Sequence, residues 1–375
     1  VLFVPLTCMK IFIGNGRAVK NFLIDYYDYS NHNIINLQSQ LKSQESDSIS
    51  DIVISSDNKY FALITSSKHL IVYNLPYLEK YKIYSLHRSA SKIRFTCDNT
   101  HLLVADKSGD VILYDITTED TGTKLLGHLS LLLDVLQTDN SKFIITSDRD
   151  EKIRVSCYPN TYNIQTYCLG HKEFVNHLEL LPHDKNYLLS TSGDGTVKLW
   201  DYHNGRTYYT IDTYTDLSDK ELKENFVKKL DEEGIEVDSL PIEHFTVTKF
   251  NETCSLLAIS IHMSNELLIY SINTKDKIFN HKLEQKLHIE NALASIKFVG
   301  LNLYVHNDGD SRIKLFKLKD SEKALFECTE CISFDDKVTS NKENTFESIK
   351  ILYKRKFDNV QEYQERKKQR LEKTE

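Results

Sequence analysis

One short phrase recurs along this chain of 375 residues. Each copy is a turn with Asp or Gly followed by alternating apolar residues, and the clear copies end in an aromatic residue. The clear and the weaker copies end at Tyr73, Tyr114, Ser156, Trp200, Tyr270 and Phe316. The first four of these ends lie 41, 42 and 44 residues apart. Because side chains alternate between the two faces of a strand, each copy predicts one β-strand within a regular repeat.

A period of about 40–45 residues with short alternating strands is typical of the WD-repeat β-propeller. We therefore predict an all-β fold, a seven-bladed WD-repeat β-propeller over residues 1–350, followed by a short basic C-terminal helix or tail over 351–375. Six copies of the phrase are visible, and a seventh blade is expected where the N-terminal strand pairs with strands near residues 325–350. Closing the ring in this way would remove its exposed sheet edges.

The spacing between Trp200 and Tyr270 is 70 residues, well beyond the period, and predicts an insertion at about 212–243. This segment holds 11 Asp or Glu against 4 Lys or Arg. A segment with so much net charge buries too little apolar area to order itself. Residues 220–230 could form a short surface helix, but their charge favours a solvated loop. We expect a mobile surface insertion that takes no part in blade closure.

The composition excludes several classes of protein. A formal net charge of −7 argues against a surface that binds nucleic acid throughout, because phosphate binding needs local positive potential. The seven cysteines are scattered, which fits a reducing compartment. The pair Cys328 and Cys331 lacks the second pair that a structural zinc site needs, so no metal site is predicted. No stretch approaches the roughly 20 apolar residues of a membrane span, and we expect a soluble, intracellular protein without a membrane contact.

His171, Asp194 and Trp200 form a set that could be mistaken for catalytic residues. In WD repeats such side chains make a buried hydrogen-bonded chain within one blade, and buried polar groups are tolerated when paired in this way. We therefore predict structural roles for all three. The sequence has no phosphate-binding loop, dinucleotide fingerprint, zinc-protease motif or nucleophile elbow. The chain is predicted not to be an enzyme.

The most unusual segment runs from residue 148 to 156, where six of the first seven residues are charged. On a strand, Lys152, Arg154 and Ser156 share one face, while Ile153 and Val155 lie on the other. A solvated turn is one interpretation. The other is ion pairing with a second chain, for which the planar guanidinium of Arg154 is well shaped.

Several strings of this sequence resemble one family. They are residues 104–111, 126–135, 147–156, 169–175 and 352–360. The chain resembles the non-catalytic WD-repeat subunit of eukaryotic tRNA (guanine-N7)-methyltransferase, the group that includes Wuho. The resemblance implies a scaffold subunit in a heterodimer, which binds and stabilises a catalytic partner that forms 7-methylguanosine in the tRNA variable loop. S-adenosylmethionine would be bound by that partner, and no cofactor by this chain.

The same resemblance assigns the partner-binding surface. It implies that Asp150, Glu151, Lys152 and Arg154 contact the catalytic subunit. It also implies that tRNA is bound by the complex as a whole. The implied location is the nucleus, with the cytoplasm as an alternative. The other interpretations are a general WD-repeat adaptor in a chromatin or ubiquitin-ligation complex and, third, a propeller hydrolase. Co-purification with a methyltransferase would distinguish the methyltransferase subunit from the general adaptor.

The C-terminal segment is basic on an otherwise acidic chain. Residues 350–375 hold 9 Lys or Arg and 5 Asp or Glu. Asp358 is a suitable N-cap with Gln361 three residues later, which predicts a helix. The residues predicted to bind RNA are Lys354, Arg355, Lys356, Tyr363, Arg366, Lys367 and Arg370. The alternative is a solvated tail or a nuclear-import signal.

Overall fold

The computed structural model describes most of the chain. The described residues are 2–6, 10–14, 24–28, 49–75, 77, 79–118, 121–275, 278–290, 293–307, 312–320, 324–333 and 342–354. Six four-stranded sheets account for most of them, and within each sheet every strand pairs with the next strand along the chain. This up-and-down arrangement, repeated six times, is a β-propeller.

The first three blades use residues 49–168. Blade 1 contains β4 Ile49–Ile54, β5 Tyr60–Thr65, β6 His69–Asn74 and β7 Glu79–Ser85. Blade 2 contains β8 Ala90–Phe95, β9 His101–Asp106, β10 Asp110–Asp115 and β11 Thr123–Gly127. Blade 3 contains β12 Leu132–Gln137, β13 Phe143–Asp148, β14 Ile153–Cys157 and β15 Ile164–Cys168.

The other three blades use residues 175–333. Blade 4 contains β16 Val175–Leu180, β17 Tyr187–Ser192, β18 Thr196–Asp201 and β19 Arg206–Asp212. Blade 5 contains β20 Ile242–Asn251, β21 Cys254–Ile261, β22 Glu266–Lys275 and β23 Ile278–His288. Blade 6 contains β24 Leu293–Val299, β25 Asn302–Asn307, β26 Arg312–Asp320 and β27 Leu325–Ser333.

The prediction of a seven-bladed propeller is wrong, because the structure has six four-stranded blades. Strand β27, which was expected to help build a seventh blade, pairs with β26 and completes blade 6. Among the described residues, the N-terminal strands β1 Leu2–Leu6, β2 Lys10–Gly14 and β3 Ile24–Asp28 form a three-stranded sheet of their own. Strand β1 lies beside β4 of blade 1 and β24 of blade 6.

The recurring phrase coincides with the third strand of every blade. Its six end residues are all buried: Tyr73, Tyr114, Ser156, Trp200, Tyr270 and Phe316. The apolar residues of the phrase are therefore those buried between neighbouring blades. Each sheet has apolar side chains on both of its faces.

Buried ion pairs join the first strands of blades 1 to 4. Arg94 on β8 donates to both carboxylate oxygens of Asp134 on β12, at 3.2 and 2.9 Å, and to Glu179 on β16 at 3.1 Å. Asp134 also accepts from the backbone N–H of Leu178 in blade 4 at 2.9 Å. Burial alone would raise the pKa of Asp134, but the adjacent Arg94 cation lowers it below its ordinary value. In the same way, Asp51 on β4 accepts from Lys92 Nζ at 2.9 Å.

The acidic insertion is folded and packed, so the prediction of a mobile loop without a structural role is wrong. It contains a 3-10 helix, Thr213–Asp216, and helix α1, Glu221–Asp231. Its buried apolar side chains are Leu217, Phe226, Leu230, Ile235 and Leu240, each at most 2% exposed. Because Phe226 and Leu230 are four residues apart on one helical face, the charged residues of α1 can face solvent while this face is buried.

A second helix, α2, covers Lys342–Lys350, which lies before the predicted C-terminal helix. The residues of that predicted helix lie outside the described part of the chain. Among the described residues, no helix has both the length and the apolar character needed to cross a membrane. The described side chains also include no group of three or more His, Cys, Asp or Glu that could hold a metal ion.

In blade 4, His171, Asp194 and Trp200 are joined through Ser190. The Nδ1 of His171 lies 2.9 Å from the Asp194 carboxylate and its Nε2 lies 2.7 Å from Ser190 Oγ. Trp200 Nε1 donates to the same Ser190 oxygen at 2.8 Å. Since a carboxylate only accepts, His171 Nδ1 carries the proton and Nε2 accepts from the Ser190 hydroxyl. Burial lowers the pKa of His171 and favours this neutral form.

Replacing Ser190 with Ala should lower the stability of the propeller. His171 Nε2 and Trp200 Nε1 would both remain buried without a partner, and each such group costs about 1–3 kcal/mol. The free energy of unfolding can be measured by urea denaturation. Thr207→Ala, at an exposed position of the same blade, is the control and should change little. Equal effects of the two substitutions would contradict the role assigned to Ser190.

Candidate protein-interaction surface

The charged turn of blade 3 lies between β13 and β14 and has a fixed backbone. The carboxylate of Asp148 accepts from the backbone N–H groups of Asp150 at 2.9 Å and Lys152 at 3.0 Å. The same carboxylate lies 2.8 Å from His128 Nδ1. Glu151 has a φ of +65°, in the left-handed region. Asp148 is buried, whereas Asp150 and Glu151 are half-buried and Lys152 is exposed. The turn is therefore a rigid support for three charged side chains.

Arg154 differs from these three residues because its side chain is engaged within the propeller. It is half-buried, and its guanidinium donates to Ser156 Oγ at 2.9 Å and to the carbonyl oxygens of Gly127 at 3.0 Å and Thr161 at 3.2 Å. Ser156 occupies the strand position that Trp200 has in blade 4. Arg154 thus links the third strand of blade 3, which lacks the aromatic end, to the last residue of β11 in blade 2 and to the loop between β14 and β15. The sequence did not reveal this role. Its contact with a partner stays a prediction.

The start of the predicted RNA-binding tail lies against this turn. Lys354 Nζ pairs with the carboxylate of Glu151 and lies 3.8 Å from an oxygen of Asp150. Arg355, Lys356, Tyr363, Arg366, Lys367 and Arg370 lie outside the described residues. The structure therefore brings one predicted RNA-binding residue together with two predicted partner-binding residues.

Tyr353 holds Lys354 in place. Its side chain is buried, its hydroxyl donates to the carbonyl oxygen of Gly193 at 3.0 Å, and its ring meets Phe174 edge-on at 5.0 Å. An open cleft of about 560 Å³ remains between this segment and the turn. It is lined by Arg149, Asp150, Ile235, Lys350, Ile351, Tyr353 and Lys354. The cleft joins the turn to the C-terminal segment in one continuous surface.

Glu173 lies close to the carboxylates of this surface. Burial raises the pKa of Glu173 to about 7, and the nearby carboxylates of Glu151, Asp194 and Asp238 act in the same direction, whereas Lys354 opposes them. The sequence analysis did not select Glu173, although it lies only two residues after His171. The single cation of Lys354 leaves this group of carboxylates with net negative charge.

Exposed aliphatic side chains flank the turn. Leu129 is fully exposed in the loop that enters blade 3, and Leu169 is 61% exposed in the loop that enters blade 4. The first loop touches the turn directly, because the Arg149 N–H donates to the Leu131 carbonyl oxygen at 2.9 Å. Both leucines lie within the strings that resemble the family, 126–135 and 169–175, but no role was predicted for them. An exposed group of apolar side chains beside charged ones is typical of a protein-interaction surface.

Comparison with known proteins decides the family. The sequence profile described as the tRNA methyltransferase TRM82 WD40 domain matches residues 115–302. The Aedes aegypti protein named tRNA (guanine-N(7)-)-methyltransferase non-catalytic subunit wuho is 32% identical over 307 residues, which is 76% of this chain and 67% of that protein. The wuho subunit of Drosophila mojavensis is 31% identical, over 87% of this chain and 81% of its own length. The chain belongs to this family of non-catalytic subunits.

Other comparisons give a further relative and the fold. The wdr4 subunit of Xenopus laevis, which carries the same enzyme name, is 40% identical over 50% of this chain and 49% of its own. A second profile, the WDR35 second β-propeller, matches residues 9–152. A chain from the crystal structure of the mitotic checkpoint complex superposes with a TM-score of 0.62 at 12% identity, covering 82% of this chain and 86% of that one, and shows the fold alone. As a member of the family, the chain is not itself catalytic.

Arg154→Leu should destabilise the propeller even without a partner. The Gly127 and Thr161 carbonyls and the Ser156 hydroxyl would lose their donor, at about 1–3 kcal/mol for each group that stays buried. Urea denaturation of the isolated chain measures the loss. Lys198→Leu, at the equivalent strand position of blade 4, removes a single hydrogen bond to Thr210 and should cost less. An unchanged unfolding midpoint for Arg154→Leu would contradict the structural role.

The stability of the Glu173→Gln variant, measured relative to the wild type, should increase as the pH rises. The pKa of Glu173 is about 7 in the folded chain against an ordinary 4.5. Between these values the folded chain holds a proton that the unfolded chain has released, so the free energy of unfolding falls as pH rises through this range. Melting temperatures at pH 5 and pH 8 check this. A difference between variant and wild type that does not grow with pH would disprove it.

Proposed function

We propose that this chain is the scaffold subunit that binds and stabilises the catalytic subunit of tRNA (guanine-N7)-methyltransferase. The partner binds S-adenosylmethionine and forms 7-methylguanosine in the tRNA variable loop, and this chain supplies no cofactor site. We also propose that the complex works in the nucleus. The observation that carries the proposal is the rigid turn of blade 3, which presents Asp150, Glu151 and Lys152 between exposed leucines.

The geometry of the turn suits a partner with apolar groups and with charged groups of both signs, basic opposite Asp150 and Glu151 and acidic opposite Lys152. Because Asp148 fixes the backbone of the turn, little conformational entropy is lost when the three charged side chains meet another chain. Burying an exposed leucine contributes about 1.5–3 kcal/mol, so Leu129 and Leu169 can provide affinity while the charges select the partner.

The basic tail supports a role in tRNA binding. Lys354, the one member of the predicted RNA-binding set among the described residues, lies on the turn beside the proposed partner surface. Residues 350–375 concentrate positive charge on a chain of net charge −7. Phosphate groups bind where positive potential is concentrated, and such binding weakens steeply as salt is added.

Charge reversal on the turn tests the partner surface. Lys152→Glu and Glu151→Lys should each weaken the heterodimer by about tenfold or more, since like charges would meet across the interface. Arg206→Glu, at the start of β19 on the opposite end of its blade, is the matched control and should bind normally. Affinity can be measured with purified subunits, and 7-methylguanosine in tRNA by mass spectrometry.

The outcomes separate the surface from the function. If both reversals bind the catalytic subunit as tightly as Arg206→Glu, the surface is wrong although the function can stand. If adding the wild-type chain to the catalytic subunit neither forms a complex nor raises 7-methylguanosine in tRNA, the proposed function is wrong. Methyl transfer by the purified chain without any partner would also contradict it.

A further inference from the structure

The acidic insertion and the C-terminal segment pack against each other. They are about 100 residues apart in sequence, and their helices lie outside the strands of the blades. Phe226 of α1 is fully buried, with its ring 6.1 Å from Phe346 of α2 and 6.1 Å from Tyr353. His262, from the turn between β21 and β22, stacks on Phe346 at 6.4 Å. The insertion therefore provides much of the apolar surface that α2 covers.

Polar contacts fix the same two segments to each other and to blade 4. Lys350 Nζ lies 2.7 Å from Glu233 of the insertion and 2.7 Å from Glu347. The Gly193 carbonyl of blade 4 accepts from Ser239 of the insertion at 3.1 Å and from Tyr353 at 3.0 Å. One carbonyl oxygen has two lone pairs and can serve both donors. The insertion, the C-terminal segment and blade 4 thus form one joint.

We propose that the acidic insertion is the docking platform for residues 342–354 and so determines where the basic tail leaves the propeller. This rests on the proposed function, in which the tail binds tRNA within the heterodimer. The Phe226 contact fixes the position of α2, and the Glu233–Lys350 pair fixes its direction. Because Tyr353 is anchored, Lys354 then lies against the turn of blade 3. The insertion becomes a positioning element for RNA binding, not a contact for the partner.

The length of chain involved shows why such a platform matters. Without docking, the tail would be held to the propeller only by the 21 residues from 334 to 354. A flexible chain of that length has a root-mean-square span of about 25 Å. The basic residues would then be spread over a large volume instead of starting at Lys354, and their effective concentration at bound tRNA would fall.

A charge swap in the intact heterodimer tests the platform. Glu233→Lys and Lys350→Glu should each weaken tRNA binding about three- to tenfold, and the double variant should return to within about twofold of wild type. Glu233→Lys makes the protein more positive, which by charge alone would strengthen binding to RNA. Weaker binding by this variant is therefore specific to lost docking. Glu224→Lys, on the exposed part of α1, makes the same change of charge and should not weaken binding.

Two further measurements distinguish failure of the inference from failure of the proposed function. Amide hydrogen exchange of residues 342–354 should rise in Glu233→Lys and return in the double variant. Unchanged exchange, or tRNA affinity in Glu233→Lys equal to that of Glu224→Lys, would overturn the platform. Truncation after Asn359 provides the comparison: if it leaves tRNA affinity and its salt dependence unchanged, the tail does not bind RNA, and the proposed function loses this element. The tRNA affinities are compared at subunit concentrations that keep the heterodimer fully assembled in every variant.

Discussion

The carboxylate of Asp134 is the interaction on which the surface-bearing half of the propeller depends. It is fully buried, and it accepts from Arg94 of blade 2 and from the Leu178 N–H of blade 4. A buried charge is tolerated only when paired, and loss of one partner of such a pair costs about 3–5 kcal/mol. One residue of blade 3 therefore fixes both of its neighbours, and these three blades carry the charged turn, its flanking loops and the Gly193 carbonyl.

Local sequence patterns predicted the third strands of the blades well, but they could not predict how many blades close the ring. The phrase ending at Trp200 or Tyr270 marks a third strand because alternation with a period of two is a local property of a buried strand. The number of blades depends on which distant strands pair, and the strand at 325–333 went to blade 6. The spacing predicted an insertion at about 212–243. The order of that segment depends on the contact of Phe226 with Phe346, which net charge does not report.

The candidate surface shows the same division. The charges of residues 150–152 could be selected from sequence because their density is unusual there. The acceptors of Arg154 could not, since two of them are backbone carbonyls and every residue has one. The contact of Lys354 with Glu151 joins positions 203 residues apart, and only the docked C-terminal segment makes it possible.

The backbone of Glu151 has a consequence for how the turn can vary. A side chain at a φ of +65° costs roughly 1–2 kcal/mol that glycine would avoid, so folding alone favours glycine at this position. The glutamate is thus retained against the local preference of the main chain, and its carboxylate is matched by Lys354 from the far end of the sequence. Glycine at position 151 would favour the stability of the turn, whereas glutamate supplies a charged side chain there, and this chain has the glutamate.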